Sequence, residues 1–329
     1  MLTILIGRAK TGKSDTMLRR MAELGESSQQ ILLVPEHASH QAEVDVCSAC
    51  GDTASRHAEV LSFRRLGERV LSITGGIADV TLDNGGKLLT LQRALLETAP
   101  QMTVYRKPSQ KVGFLEQMLA LFDELRSYEV TPEILYQQAQ DIDGATHDKL
   151  TDLSLLYAAY EARLRRPGLD ARDRMTKLCE ALESSRYAFG KDVFVDGFTY
   201  FNAQERQVLE SILRQARSVT VTLLGEADSA EEMFQVSLRT RDQLTRLADQ
   251  AGCPWEVRTL TSADDSALGY LEHHFFGEGE PYQGDSSAIR VREADTAFSE
   301  VEQTAADIRR LLAAGACRCR DITVTARNL

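Results

Sequence analysis

Short, continuous apolar runs alternate along this chain with stretches whose apolar residues recur every three or four positions. Leu2-Thr3-Ile4-Leu5-Ile6 and Ile31-Leu32-Leu33-Val34 are apolar at nearly every position. That pattern fits strands buried on both faces rather than strands with one wet face. Pro35 stops the second run, as a residue without a backbone donor does. Val60-Leu61-Ser62-Phe63 reads as a third strand. Between these runs, Met17, Leu18, Met21 and Leu24 share one helical face, a helix is expected from Ser39 to Cys47, and Leu66 and Val70 mark another. Such alternation predicts an α/β fold with a parallel, wound sheet.

The pattern changes from Gly86 to Arg186, where strand signal is scarce. Leu88, Leu89, Leu91, Leu95 and Leu96 follow helical spacing, as do Phe114, Leu115, Met118, Leu119, Phe122 and Leu125, and then Leu153, Leu156, Tyr157, Tyr160 and Leu164. An all-helical insertion is expected there. Strands resume at Asp192–Asp196 and Val219–Leu224. A final βαβ-like stretch runs from Ile289-Arg290-Val291 through a helix carrying Val301, Ile308 and Leu312 to Ile322-Thr323-Val324-Thr325. The chain stops at Leu329, directly after that last expected strand, which reads as truncation.

Length and composition narrow the class. A chain of 329 residues corresponds to about two domains. With 43% hydrophobic and 26% charged residues it reads as a soluble globular protein. No apolar run approaches the ~18 residues that span a bilayer, and the opening lacks the basic leader and cleavage site of a signal peptide. No membrane partner is expected. A net charge of −11 argues against a protein that coats nucleic acid without specificity. The 38 Lys and Arg leave room for a local basic groove. Six scattered cysteines fit a reducing cytoplasm. Cys47-Ser48-Ala49-Cys50 has no second C-x-x-C at the distance a zinc site needs, and two reduced thiols are its plainer reading.

The strongest chemical signal is Gly7-Arg8-Ala9-Lys10-Thr11-Gly12-Lys13-Ser14. It matches G-x-x-x-x-G-K-[ST] in full and lies between an expected strand and an expected helix, the context a phosphate-binding loop requires. Glycines let the loop close around phosphate oxygens, and the helix amino terminus favours an anion. Lys13 would reach the terminal phosphates of ATP, and the Ser14 hydroxyl would hold Mg²⁺. Asp196, at the end of an apolar run, is the candidate acid for the same metal. Its bland alternative is a turn former in Asp-Gly. Gly197 stands where a second, water-activating acid would be expected.

In a wound α/β sheet, ligands bind at the carboxyl ends of the strands. Pro35-Glu36-His37-Ala38-Ser39-His40-Gln41 and Phe63-Arg64-Arg65 follow the second and third runs, so His37, Ser39 and Gln41 are placed to face a ligand. An aromatic beside two cations suits stacking on a base with contact to phosphate. Periodicity alone favours plain helix caps and solvated faces at these positions.

Taken in order, these residues resemble the N-terminal part of AddB, the B subunit of the AddAB-type bacterial helicase–nuclease. The likeness rests on the loop strand, Leu33-Val34-Pro35-Glu36, Leu61-Ser62-Phe63-Arg64-Arg65-Leu66, Gly113-Phe114 with Glu124-Leu125, and Val195-Asp196-Gly197-Phe198 with Gln204-Glu205. Glu300-Val301-Glu302 and Asp321–Arg327 complete it, so it spans nearly the whole chain. The resemblance implies a P-loop RecA-like core from residues 1–85 and 187–285, an inserted helical subdomain at 86–186, and the start of a second RecA-like core at 286–329. The family's nuclease domain and iron–sulfur cluster lie beyond Leu329.

Departures from active superfamily 1 helicases follow from the same comparison. Gly197 replaces their acid, and Ser229 stands where they carry a phosphate-sensing Gln. The resemblance therefore implies ATP binding with little hydrolysis, since general-base catalysis alone contributes ~10²–10⁴-fold. It further implies a cytoplasmic subunit that pairs with the AddA motor subunit. Such a subunit scans single-stranded DNA for the short Chi sequence during recombinational repair of double-strand breaks. His37, Ser39, Phe63, Arg65, Glu68 and Phe201 match the DNA-reading positions. The competing readings are an active superfamily 1 ATPase or helicase fragment and a small-molecule P-loop kinase, which the helical insertion fits poorly.

Overall fold

A computed structural model describes residues 1–75, 82–106, 112–164, 174–226, 232–261, 264–275 and 279–326. The continuous apolar runs become the strands of a single parallel sheet. Its strands are β1 (Leu2–Gly7), β2 (Gln30–Leu33), β3 (Ala58–Leu61), β4 (Asp192–Val195), β5 (Ser218–Leu224) and β6 (Trp255–Thr259). They lie in the order β3-β2-β4-β5-β1-β6, every neighbouring pair parallel. The register lines up Leu61, Leu33, Val195, Val221, Ile4 and Val257 in one row across all six strands. Side chains alternate between faces, so this row and its companions two residues away line one face.

That face packs α3 (Phe63–Thr74), α8 (Arg174–Ser185), α9 (Ala203–Gln215) and α10 (Gln235–Gln250) through Leu66, Val70, Leu178, Leu182, Val208, Ile212 and Leu244. The opposite face, carrying Leu32, Val60 and Phe194, meets α1 (Lys13–Leu24) through Met17 and Met21 and α2 (Ser39–Cys50) through Val46. Helices on both faces explain why β1, β2 and β4 have no polar alternation.

The middle of the chain builds a separate core. Helices α4 (Asn84–Thr98), α5 (Val112–Ser127), α6 (Pro132–Gln140) and α7 (Ala145–Leu164) follow one another. Leu91, Leu95, Met118, Phe122, Leu156 and Tyr160 of α4, α5 and α7 pack together, with the Phe122 and Tyr157 rings stacked at 4.7 Å. The buried Asp152 carboxylate accepts the backbone N–H groups of Thr103, Val104 and Tyr105 at 2.7–2.9 Å, fixing the segment that follows α4.

By contact, residues Met1–Ser262 form one compact unit and Ala263–Leu329 another. The second contains α11 (Ala267–His274) and α12 (Ala297–Ala313). The expected helix is present as α12, but Ile289–Val291 and Ile322–Thr325 are not strands. Among the described residues neither run is hydrogen-bonded into the sheet. Val291 is 93% and Val324 54% exposed. A β-branched run specifies a strand only when a neighbour satisfies its backbone. Conversely, β6 escapes sequence reading because Trp-Glu-Val-Arg-Thr at a sheet edge has neither a continuous apolar run nor full burial. All six cysteines are free thiols. Among the described residues, no helix is long and apolar enough to cross a membrane.

Candidate functional site

Because all six strands run the same way, the Gly7–Ser14, Pro35–Gln41, Phe63–Arg65 and Asp196–Gly197 segments all follow strand ends at one edge of the sheet, the carboxyl edge. The Gly7–Ser14 loop leaves β1 and enters α1. Its geometry explains its glycines. A Cβ on Gly7 would lie 2.4 Å from Thr11 Oγ1 and 2.6 Å from the Leu260 carbonyl oxygen, so the first position tolerates no side chain. Gly12 has φ +77°, with nothing within 4 Å of where its Cβ would be. Lys10 also adopts the left-handed region, at φ 57°, which is uncommon for a residue with a Cβ. No side chain caps the start of α1, and an uncapped helix start is where anions bind.

Lys13 sits inside the loop. Its ammonium donates to the carbonyls of Gly7 at 2.7 Å and Arg8 at 2.6 Å, and to Thr11 Oγ1 at 3.3 Å. The Thr11 hydroxyl donates to the Arg8 carbonyl at 3.0 Å. The Arg8 guanidinium pairs with Glu226, just beyond β5, at 3.1 Å and lies 4.9 Å from the centroid of the Phe234 ring. Ala9, Lys10 and Ser14 are exposed. An uncapped helix start, an open glycine and a loop-embedded ammonium are the donor set a polyphosphate needs.

Asp196 follows β4, separated from the β1 loop by the intervening strand β5. Its backbone N–H extends the ladder to the Leu33 carbonyl at 2.9 Å, and the Thr222 hydroxyl of β5 donates to its Oδ1. Gly197, at φ +79°, lies against Pro35: a Cβ there would be 3.3 Å from Pro35 Cδ. Asp196 is thus turned toward β5, while Gly197 lets the chain pass the β2 turn. Ser229 lies outside the described residues. Among the described residues, no three His, Cys, Asp or Glu side chains gather as a metal site.

The segments after β2, β3 and β4 surround two clefts. One, of about 470 Å³, is lined by Glu36, Phe63, Arg64, Phe198 and Glu205 among others. The second, of about 590 Å³, lies between His37, Tyr128 at the end of α5, and the Gly197–Asn202 turn. Ser62 caps α3 by accepting the Arg65 N–H at 3.2 Å, and its hydroxyl donates to Glu36. That bond and the Arg64 guanidinium at 2.8 Å hold Glu36 below the usual carboxylate range. Glu205 reaches back to the Asn202 N–H at 2.9 Å in a capping box that opens α9. Burial pushes its carboxyl up, against the lowering effect of that bond.

The six DNA-reading candidates divide by accessibility. His37 is exposed, and Arg65 is half-exposed and paired with Glu43 at 2.8 Å. Glu68 lies 4.0 Å from Arg64. Ser39 is buried, and its hydroxyl has no hydrogen-bond partner. Phe63 and Phe201 are buried in the sheet core, 6% and 2% exposed. Phe63 is the first residue of α3 rather than the last of a strand. Both rings pack on Phe198, with centroids 5.4 and 5.1 Å away. Phe198 is the ring that lines both clefts. Sequence reading missed its place there, and with it Tyr128, Tyr200 and Asn202. The Val-Asp-Gly-Phe string flagged the segment, but no periodicity separates a wall residue from its support.

Comparisons with known proteins identify the family. A family model described as ADDB, N-terminal, matches residues 4–272. Three proteins, each named as the B subunit of an ATP-dependent helicase/deoxyribonuclease, are similar across the whole chain. Those of Thermoanaerobacter sp. (strain X514), Clostridioides difficile (strain 630) and Desulforudis audaxviator (strain MP104C) are 31%, 30% and 33% identical to it. In each case the match covers 100% of this chain and 30% of the relative, so the chain spans under a third of their length. With a family model matched over most of its residues and these relatives over all of them, the chain belongs to the AddB N-terminal family.

Proposed function

We propose that this chain is the DNA-scanning, nucleotide-binding part of a helicase–nuclease B subunit. It works in the cytoplasm beside an AddA motor subunit, in recombinational repair of double-strand breaks. Residues 1–85 and 187–285 form its first RecA-like core, 86–186 a helical subdomain inserted in it whose last helix, α8, packs back on the sheet, and 286–329 the start of a second core. The observation that carries this reading is the shared carboxyl edge, where the Gly7–Ser14 loop and both clefts lie on one sheet.

In this reading the loop binds ATP with Mg²⁺ and hydrolyses it little. Gly7, Arg8, Ala9, Lys10, Thr11 and Gly12 supply the turn and its N–H groups, Lys13 the charge, and Ser14 and Asp196 the metal contacts. The bound nucleotide supplies negative charge opposite Lys13 and the start of α1, which stabilises the loop. Gly197 offers no side chain to take a proton from water. DNA meets the chain at the β2, β3 and β4 ends. His37, Arg65 and Glu68 present polar groups there, Phe63 borders the smaller cleft, and Ser39 and Phe201 shape the wall from beneath. Reading of Chi is assigned to this surface. Any iron–sulfur cluster belongs to the part of the relatives beyond this chain.

The test mixes excess protein with trace Mg·ATP and single-stranded DNA and follows the bound nucleotide. The expected result is ATP that stays ATP, and no binding by Lys13→Ala. Rapid conversion to ADP would instead assign an active helicase fragment.

A further inference from the structure

The aromatic rings assigned to DNA by the family likeness are mostly buried, yet two tyrosines stand exposed on the larger cleft. Tyr128 is 47% and Tyr200 57% exposed, and both line the cavity of about 590 Å³. Both are held by anchored backbone. The end of α5 closes with Glu129 at φ 59°, where the Glu129 N–H bonds to the Arg126 carbonyl at 3.0 Å and the Val130 N–H to Leu125 at 2.8 Å. This is a left-handed helix stop that fixes Tyr128. The Gln207 amide of α9 donates to Glu129, tying one wall of the cleft to the other.

Tyr200 lies in a turn pinned on both sides. The Thr240 hydroxyl donates to the Thr199 carbonyl at 3.0 Å, Arg206 to the Phe201 carbonyl at 2.6 Å, and Asn202 caps α9. The polar lining includes two carboxylates, Glu124 and Glu205, with His37, Ser127, Thr199 and Asn202 beside them. Carboxylates repel phosphate but accept hydrogen bonds from exocyclic amines, as in recognition of the cytosine amino group.

We propose that this cleft is a pocket for one unpaired base of single-stranded DNA. Tyr128 and Tyr200 are its stacking walls, and Glu124 and Glu205 select an amine-bearing base over thymine. The proposal rests on the DNA-scanning reading above and adds the residues and the base chemistry. Rings already held on anchored backbone lower the ordering cost of binding, and stacking tolerates any ring of suitable size.

The test is fluorescence anisotropy of fluorescein-labelled oligo-dC and oligo-dT, titrated with the full chain at one salt concentration and neutral pH. Thermal melting verifies the fold of each variant. Wild type is expected to bind oligo-dC at least fivefold more tightly than oligo-dT. Tyr128→Ala and Tyr200→Ala each weaken oligo-dC binding about tenfold, while the phenylalanine variants stay within twofold. Glu124→Ala narrows the dC-over-dT preference. Alanine variants that bind like wild type overturn the pocket, and equal wild-type affinity for the two oligomers overturns the base choice. A wild-type chain that binds neither oligomer overturns the scanning reading itself, together with the pocket.

Discussion

Gly197 has a left-handed backbone, φ +79°, and its missing Cβ leaves room for Pro35. An acid at this position would have to adopt a φ that side chains disfavour and displace the ring that begins the turn after β2. Gly197→Glu is therefore expected to cost about 1–3 kcal/mol of stability without producing fast turnover. Both are checked on one preparation, by thermal melting and a steady-state ATPase assay. Wild-type stability together with rapid hydrolysis would show that a single absent acid limits the site. The sequence displays Gly197 plainly, but the reason for it is a contact with a residue 162 positions earlier, Pro35. Phe63 is a similar case. Its neighbours Arg64 and Arg65 mark it as a stacking residue, yet it packs against Phe198 and Phe201 and, 6% exposed, only borders the smaller cleft. Local composition carries residue type; which side of a cleft the ring occupies depends on packing across β3 and β4.

At the level of elements, one carboxylate ties three strands together. Asp192 opens β4, and its oxygens accept from Arg217 and Ser218 at the start of β5 and from Ser28 just before β2. Burial alone would raise its pKa, but these hydrogen bonds outweigh it and hold the carboxyl below its ordinary value. A depressed carboxylate adds stability that is complete above the unfolded-state pKa and is lost as pH falls through the folded one. Wild type should thus lose stability on acidification below about pH 4. Arg217→Ala, which leaves the buried charge with two hydroxyl partners, should cost about 1.5–3 kcal/mol at neutral pH. The same variant should flatten the acid limb of the stability curve. Urea midpoints from pH 3 to 7 read both; parallel curves for variant and wild type would remove Asp192 from the acid response. None of this shows in the sequence, where Asp192 is one polar residue before an apolar run. The elements themselves were largely legible. β1, β2 and β4 are buried on both faces and therefore apolar throughout, whereas β6 at the edge is not. Ile289–Val291 and Ile322–Thr325 carry strand composition without a paired neighbour, and pairing is what composition does not encode.

Across the whole molecule, burial is unevenly divided between the two contact-defined units. The three apolar cores draw every one of their buried members from residues 2–253, while α12 has no buried residue along its 17 positions. A 17-residue helix that fully buries no side chain gains little from packing and is marginal in water. Its Thr296–Ser299 capping box contributes only about 1 kcal/mol. Amides in β1, β2 and β4 open only with the whole sheet, since their neighbours on both sides and both faces must separate together. Hydrogen exchange at neutral pH should accordingly show residues 297–313 exchanging orders of magnitude faster than 31–33 and 193–195. If the β1 loop binds Mg·ATP as proposed, the nucleotide should add protection mainly at that loop and leave this ordering unchanged. Protection in α12 equal to that of β4 would show that this helix, with Phe298 86% and Val301 68% exposed, is not the weak element of the chain.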